Sequence, residues 1–207
     1  MTHDASVIVV GAGGHAKVVL ATLRACGVVV DFVVDEDPQK EGSEWLGLRV
    51  LPPANHLDGR SAILAIGHNQ CRARFARECE TTTWVRAIHP HAFVDPSASI
   101  GVGTVVFAGA IVQPGAGVGE HVIVNTGASI DHDCRVGDFV HLCPGVHLAG
   151  GVSVGEGALL GIGSVVKPGV SIGAWCTVGS GAAVISDLRP HCTAIGVPAK
   201  QVDPRGE

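Results

Sequence analysis

An aliphatic side chain returns at every sixth position from residue 94 to residue 184, sixteen times without interruption. This period matches neither the 3.6 residues of a helix nor the two residues of an alternating strand. Four residues after each of the first fifteen positions, the chain carries Ala, Ser, Thr, Cys or Val. A large and a small residue in fixed register predict short strands that turn at regular intervals and stack as a β-helix. The aliphatic positions are Val94, Ile100, Val106, Val112, Val118, Val124, Ile130, Val136, Leu142, Leu148, Val154, Leu160, Val166, Ile172, Val178 and Val184.

Residues 5 to about 87 carry the alternating strand and helix pattern of a small α/β domain with a parallel sheet. We therefore predict an α/β domain at 1–90 and a β-helix with a C-terminal tail at 91–207. The predicted elements of the first domain are a strand at 6–10, a helix that ends at Gly27, a strand at 28–34, a loop at 36–47, a strand at 62–66 and a basic helix at 70–79.

A glycine-rich turn joins the first predicted strand to the first predicted helix. The residues Gly11-x-Gly13-x-x-Ala16 fit the dinucleotide fingerprint, and Asp35 follows about 20 residues later. Fewer than ninety residues make only about one mononucleotide-binding half of such a fold. We therefore predict a half-Rossmann-like domain that binds one nucleotide diphosphate, with phosphates near Gly13, Gly14 and His15 and a ribose or base on Asp35. The alternative is a turn that only packs helix on strand.

The composition bears on which classes of partner and which cellular compartment we expect. The net charge of −5 argues against nucleic acid as the main partner. No apolar run approaches membrane-spanning length. The seven cysteines are odd in number, show no C-x-x-C spacing and follow no apolar leader, so we expect free thiols in a reducing cytoplasm.

The most polar part of the repeat runs from residue 125 to residue 141 and contains a candidate base. His132 stands two positions after the inward Ile130, which places it on the outer surface or an edge. Asp133 follows directly, and a carboxylate partner raises the basicity of an imidazole. A solenoid surface tolerates any polar residue, so the position alone favours a structural or solvated histidine over a catalytic one.

Several motifs in order resemble the bacterial sugar acyltransferases of the sialic-acid O-acetyltransferase and bacillosamine N-acetyltransferase type. The resemblance covers nearly the whole chain and implies a left-handed parallel β-helix of hexapeptide repeats, three hexads per coil, in a homotrimer with active sites between subunits. The residues that carry it are Gly11-x-Gly-Gly-His15, Asp35, Ala65-Ile-Gly67-x-Asn69, Asn125-Thr126, His132-Asp133-Cys134, His141, Leu160-Gly-Ile162 and Gly196-Val-Pro-Ala-Lys200.

The resemblance also implies roles for individual residues. His132 matches the catalytic base, and Asp133 stands where the related enzymes usually have the longer Glu. Acetyl-CoA is the implied cosubstrate, no metal is implied, and a backbone N–H near Gly150 is the expected oxyanion donor. The resemblance places His141, Ile162, Gly179 and Ser180 at acetyl-CoA, and Gly13, Gly14, His15, Asp35 and Gly67 at the nucleotide sugar. We also expect Gly150 and Lys200 at acetyl-CoA, with a solvated Lys200 as an equal alternative, and Glu36 and Asn125 at the nucleotide sugar.

We expect an acetyltransferase acting on the amino group of a nucleotide-linked 4-amino-deoxysugar. O-Acetylation of a sugar such as sialic acid is the nearest alternative, because the same base would activate a hydroxyl. A zinc lyase that uses histidines from two chains is a second alternative. No two of His121, His132, His141 and His147 are eighteen residues apart, as stacking in one chain would require. A non-catalytic nucleotide-sugar-binding protein is a third.

Overall fold

The computed structural model describes residues 6–53 and 56–202. Its N-terminal part is a six-stranded sheet with the strand order β3-β4-β2-β1-β5-β6, in which all neighbours are parallel except the β3–β4 hairpin. The elements are β1 (Val7–Val10), α1 (Gly14–Ala25), β2 (Val30–Val34), β3 (Glu44–Trp45), β4 (Leu48–Leu51), β5 (Ser61–Leu64), α2 (Asn69–Glu78) and β6 (Thr83–Trp84).

The predicted parallel α/β domain is confirmed, with one error in the segment predicted as a loop. The hairpin β3–β4 begins inside that segment and turns at Leu46 and Gly47, which both have positive φ. The backbone of the turn requires glycine at position 11, because Gly11 has φ +109° and an added Cβ would lie 3.1 Å from the carbonyl oxygen of Ala65. The turn therefore brings the end of β1 close to the end of β5.

The remainder of the chain is a parallel β-helix with three faces. Face 1 consists of β7 (Ala87–Ile88), β10 (Val105–Val106), β13 (Ile123–Val124), β16 (His141–Leu142), β19 (Leu159–Leu160), β22 (Thr177–Val178), β24 (Thr193–Ile195) and β25 (Lys200–Val202). Face 2 consists of β8 (Phe93–Val94), β11 (Ile111–Val112), β14 (Ser129–Ile130), β17 (His147–Leu148), β20 (Val165–Val166) and β23 (Ala183–Val184). Face 3 consists of β9 (Ser99–Ile100), β12 (Gly117–Val118), β15 (Arg135–Val136), β18 (Ser153–Val154) and β21 (Ser171–Ile172).

Three hexads form one coil, as predicted, since Val94 pairs with Val112 and Val112 with Ile130 in parallel register. The series begins one hexad earlier than predicted, because Ile88 of β7 pairs with Val106 and so stacks in the same column. We name the corners that join the faces the first edge (faces 1 and 2), the second edge (faces 2 and 3) and the third edge (faces 3 and 1).

The large and the small residues of the repeat form the interior of the β-helix together. The aliphatic column and the column of small residues are both in one buried cluster that runs from Val106 to Ala199. Each buried aliphatic side chain contributes roughly 1.5–3 kcal/mol relative to exposure. The paired columns therefore explain why the period of six is kept without insertions along the whole solenoid.

The α/β domain packs on the outer side of face 1. Val105, Phe107 and Ile123 of the β-helix are buried in the same cluster as Val19 and Leu23 of α1. The outward residues Ala87, Val105 and Ile123 of face 1 are therefore apolar where the domain covers them, and His141 is the polar exception in the next coil. Beyond the domain the outward positions are polar, at Thr177 and Thr193.

A buried arginine of α2 stabilises the packing of the α/β domain on the β-helix. Arg72 is 1% exposed, and its Nε donates to the carbonyl of His121 at 2.8 Å. Its Nη2 donates to the carbonyl of Phe139 at 2.7 Å and to Oδ1 of Asn69 at 2.9 Å, while Nη1 donates to the carbonyls of Ile66 and Gly67. Burial lowers the Arg72 pKa to about 9, so the side chain stays charged at neutral pH.

We expect Arg72→Lys to lower the free energy of unfolding by roughly 2–4 kcal/mol, because an ammonium has three donors and leaves carbonyls of both domains unsatisfied. Urea unfolding measures the change. The matched control is Arg77→Lys, since the Arg77 side chain is 64% exposed on the same helix and pairs with Glu156 at 2.9 Å. That control should lose less than about 1 kcal/mol. Equal losses in the two variants would contradict the role assigned to Arg72.

Candidate active site

His132 lies on the second edge, in the corner between β14 and β15. Its Nδ1 is 2.9 Å from Oδ2 of Asp133, and since a carboxylate can only accept, Nδ1–H is the donor. Asp133 has φ +61°, a left-handed conformation that Asp tolerates better than most residues. The shorter acid therefore reaches the ring, and Nε2 is left without the proton in the neutral imidazole.

Gly150 lies directly under the His132 ring, one coil further along the same edge. A Cβ added at Gly150 would lie 2.5 Å from Nε2 of His132, so only glycine lets the ring occupy this position. Among the described residues, the Gly150 N–H donates to no protein acceptor, whereas the neighbouring Gly151 N–H donates to the His132 carbonyl at 2.9 Å. The structure thus brings together the predicted base and the predicted oxyanion donor.

The carboxylates around His132 raise its pKa above the ordinary value. The largest cause is the hydrogen bond from its ring to Asp133, and the charge of Asp131 adds to it. The His132 side chain is 61% exposed in the single chain, so solvent screens these contacts. A partly exposed imidazole with one nitrogen held by a carboxylate can accept a proton at the other nitrogen.

A second polar cluster lies near the first edge, across face 2 from His132, where the α/β domain meets the β-helix. His15 at the start of α1 stands 6.0 Å from His141 of β16, measured between ring centroids. Nε2 of His141 is 3.1 Å from Nδ2 of Asn125, which can only donate. The other ring nitrogen therefore carries the proton and bonds to the backbone of Gly67. We call His15, His141, Asn125 and Gly67 the junction cluster.

Both histidines of the junction cluster are neutral at physiological pH. Burial, and then the charge of Arg72, lower the pKa of His15 and the pKa of His141 to about 4. Nε2 of His15 is buried and has no hydrogen-bond partner among the described residues. The cluster therefore presents uncharged donors and acceptors beside a buried positive charge.

The glycine turn lies next to this cluster. Gly13 is the N-cap of α1, Gly14 is the first helical residue, and a Cβ at either position would meet nothing within 4 Å. Asp35 accepts hydrogen bonds from the backbone N–H of Ala12 at 2.7 Å and of Asp37 at 2.9 Å. Burial alone would raise the Asp35 pKa, but these bonds and Lys40 outweigh it and hold the pKa below the ordinary value.

Glu36 follows Asp35 directly after β2. We call the opening between the ends of β1, β2 and β5 and the start of α2 the mouth of this domain. Oε2 of Glu36 accepts a hydrogen bond from Nη2 of Arg74 at 2.6 Å, and both side chains are half exposed. Six of the seven predicted nucleotide-sugar residues thus follow the ends of β1, β2 and β5, and the seventh, Asn125, lies on the first edge of the β-helix.

The predicted acetyl-CoA residues do not form one group in the single chain. Ile162, which is 60% exposed, and Gly179 with Ser180 lie in successive corners of the first edge. Lys200 is an exposed residue of β25, paired with Ile195. Gly150 lies beside His132 on the second edge, and His141 lies in the junction cluster.

Sequence reasoning missed two residues that shape the site, Arg72 and Arg74. Both stand on the predicted basic helix, and no local signal shows that one is buried and the other reaches Glu36. Residues 6–53 and 56–202 contain no group of three or more His, Cys, Asp or Glu arranged to hold a metal ion. No helix in these ranges is long and apolar enough to cross a bilayer.

Comparison with known proteins relates both parts of the chain to transferases. Residues 6–79 match the PglD N-terminal domain, and residues 151–186 match the bacterial transferase hexapeptide with its six repeats. A UDP-N-acetylbacillosamine N-acetyltransferase of Bacillus subtilis is 40% identical over 114 residues, which are 50% of this chain and 51% of that protein. The matched region thus spans about half the length of this curated relative.

Solved structures resemble the chain over nearly its whole length. The perosamine N-acetyltransferase PerB from Caulobacter crescentus, in complex with CoA and GDP-perosamine, is 43% identical with a TM-score of 0.90, over 97% of this chain and 98% of that one. The acetyltransferase domain of PglB from Neisseria gonorrhoeae, in complex with acetyl coenzyme A, is 36% identical with a TM-score of 0.88, over 95% of this chain and 98% of that one.

The environment of His132 leads to a titration experiment. We expect the His132 ring to titrate above the ordinary value of about 6.5, so that the neutral form is complete only at a pH above this raised midpoint. Asp133→Asn removes the largest cause and should move the midpoint to lower pH. Nuclear magnetic resonance of the ring protons measures the midpoint in both proteins. A midpoint unchanged by Asp133→Asn would show that the contact is absent in solution.

Proposed function

We propose that this chain, which belongs to the hexapeptide-repeat sugar acetyltransferases, transfers the acetyl group of acetyl-CoA to the amino group of a nucleotide-linked amino sugar. The observation that carries the proposal is the His132 corner, where a base held by Asp133 stands over Gly150. The full-length similarity to a perosamine N-acetyltransferase bound to CoA and GDP-perosamine supports this choice of reaction.

The reaction needs one base and one oxyanion donor. The sugar nitrogen attacks the thioester carbonyl, a C–N bond forms, and the C–S bond breaks to release CoA thiolate. Nε2 of His132 takes the proton that the nitrogen loses, and Asp133 supports the charge that develops on the ring. The N–H of Gly150 is placed to stabilise the oxyanion of the tetrahedral intermediate.

Covalent catalysis by a cysteine is not needed, because a thiolate is a good leaving group. Cys134, the cysteine nearest to His132 in the sequence, is fully buried, and burial raises the pKa of its thiol. Its Sγ donates to the carbonyl of Ala149 inside the β-helix. The residue therefore belongs to the column of small interior residues, and direct transfer to the amine is the simpler mechanism.

The active site in this proposal is shared between two copies of the chain. His132 and Gly150 lie on the second edge, while the junction cluster, Ile162 and Ser180 lie on the first edge or beside it. Face 2 separates the two edges in a single chain. A neighbouring copy that sets its second edge against the first edge would bring the base to a sugar held in the junction cluster, and would create the concavity that ligand sites need.

The outer side of face 2 supports a homotrimer. Three of its outward side chains are apolar and exposed, namely Phe93 at 51%, Ile111 at 38% and Val165 at 42%. Face 3 presents Ser99, Ser153 and Ser171 at the same outward positions. Phe93 and Ile111 are paired neighbours, and Ser129 and His147 lie between them and Val165. Exposed apolar residues that share one face are typical of a surface that is covered in the assembly.

We expect His132→Ala to lower kcat by roughly 10²–10⁴-fold, the usual contribution of a general base. The assay follows CoA thiol release from acetyl-CoA in the presence of nucleotide-linked 4-amino sugars, with free sialic acid as the competing substrate. His191→Ala, an exposed histidine on the third edge, is the matched control. A loss below tenfold would exclude His132 as the base, and turnover of sialic acid alone would replace amine transfer by hydroxyl transfer.

Sedimentation equilibrium tests the assembly. We expect a mass about three times the 21.1 kDa of one chain, and Ile111→Glu should dissociate it, because a buried carboxylate on face 2 would be desolvated. Ser153→Glu, which adds the same charge to face 3, should leave the mass unchanged. An assembly that survives Ile111→Glu and dissociates with Ser153→Glu would place the interface on face 3.

A further inference from the structure

We infer that the nucleotide of the substrate is a guanosine diphosphate, and that Glu36, held by Arg74, accepts hydrogen bonds from the Watson–Crick edge of the guanine. This inference rests on the proposed function and specifies the same site. It begins from the two adjacent carboxylates at the end of β2, Asp35 and Glu36, which have different environments.

The carboxylate of Asp35 already accepts hydrogen bonds from groups of the protein. Its Oδ1 accepts from the N–H of Asp37, and its Oδ2 accepts both from the N–H of Ala12 and from Nζ of Lys40 at 3.0 Å. The side chain is 13% exposed. Asp35 therefore fixes the glycine turn against the end of β2, and its remaining capacity to bind a ligand is small.

Glu36 is the carboxylate that remains available. Its side chain is 51% exposed, and Arg74 of α2 holds only one of its oxygens, Oε2, at 2.6 Å. Among the described residues, Oε1 has no donor. Glu78 contacts the other terminal nitrogen of Arg74 at 3.9 Å and leaves the Glu36 contact intact. The carboxylate is thus oriented across the mouth between β2 and α2, with one oxygen open.

In a mononucleotide-binding half, the acidic end of the second strand lies on the ribose and base side of the phosphates. The phosphates belong at the open N-terminus of α1, at Gly13 and Gly14, where the backbone approaches them. The residue after Asp35 is therefore placed beyond the phosphates, toward the base. Glu36 and Arg74 together present an acceptor next to a row of N–H donors.

The edge of guanine complements this pair better than the edge of uracil or thymine does. Guanine places two donors side by side, N1–H and the 2-amino group, next to the O6 acceptor. A carboxylate accepts from both donors, and the guanidinium of Arg74 donates to O6. Uracil and thymine offer one donor between two carbonyls, so a carboxylate gains one bond and opposes an acceptor.

Calorimetric titration with GDP, IDP and UDP tests the inference on the whole protein. IDP lacks only the 2-amino group. We expect wild-type protein to bind GDP roughly tenfold more tightly than IDP and more tightly still than UDP, in the range for hydrogen bonds to a charged group. Glu36→Gln should abolish the preference of GDP over IDP. Glu78→Gln is the matched control and should retain it.

Two results would overturn the inference. Equal affinity of wild-type protein for GDP and IDP would show that the 2-amino group is not read. An equal loss of GDP and UDP affinity in Glu36→Gln would place the carboxylate on the ribose. The proposed function has a separate test. If GDP binds selectively and a GDP-linked 4-amino sugar is still not acetylated, the contact between Glu36 and guanine is retained and the proposed acetyl transfer is excluded.

Discussion

Arg72 joins the two halves of the molecule through hydrogen bonds to carbonyl groups rather than to a carboxylate. Its donors reach His121 and Phe139 on the β-helix and Ile66 and Gly67 on the α/β domain. No carboxylate among the described residues lies within 4 Å of it. A buried charge is tolerated only when all of its donors are satisfied, so the guanidinium fixes the distance between the third edge and the start of α2.

The docking set by Arg72 determines the chemistry of the mouth. Gly67, whose carbonyl accepts a hydrogen bond from Arg72, also forms a backbone hydrogen bond with the His141 ring. Burial, and in addition the charge of Arg72, keeps the pKa values of His15 and His141 low and the two rings neutral. The same charge lies beside the position proposed for two phosphates. The molecule thus separates two tasks: a positive, rigid junction that holds an anionic nucleotide, and a carboxylate-rich second edge whose histidine is basic.

The period of six predicted the β-helix because every interior position repeats at the same interval along the chain. Counting from Ile130 predicted His132 on the outer surface or an edge, and the family resemblance added its role. The hairpin at 44–51 was missed because its strands are short and because Pro38, Gly42 and Gly47 are typical of a loop. The burial of Arg72 could not be predicted, since its acceptors are backbone groups 49 and 67 residues away. The division of the expected acetyl-CoA residues between edges likewise depends on which corner follows which face.

Mixed assemblies of two variant chains test whether His132 of one chain acts on a sugar held by its neighbour. Chains carrying His132→Ala and chains carrying His141→Ala would be unfolded together, refolded as a mixture and assayed for acetyl transfer. If the site is shared, each variant alone is inactive and the mixture regains activity, at about one site in four in a statistical mixture of chains. If the mixture stays inactive while native mass spectrometry shows that mixed assemblies have formed, then base and junction cluster act within one chain and the account is wrong.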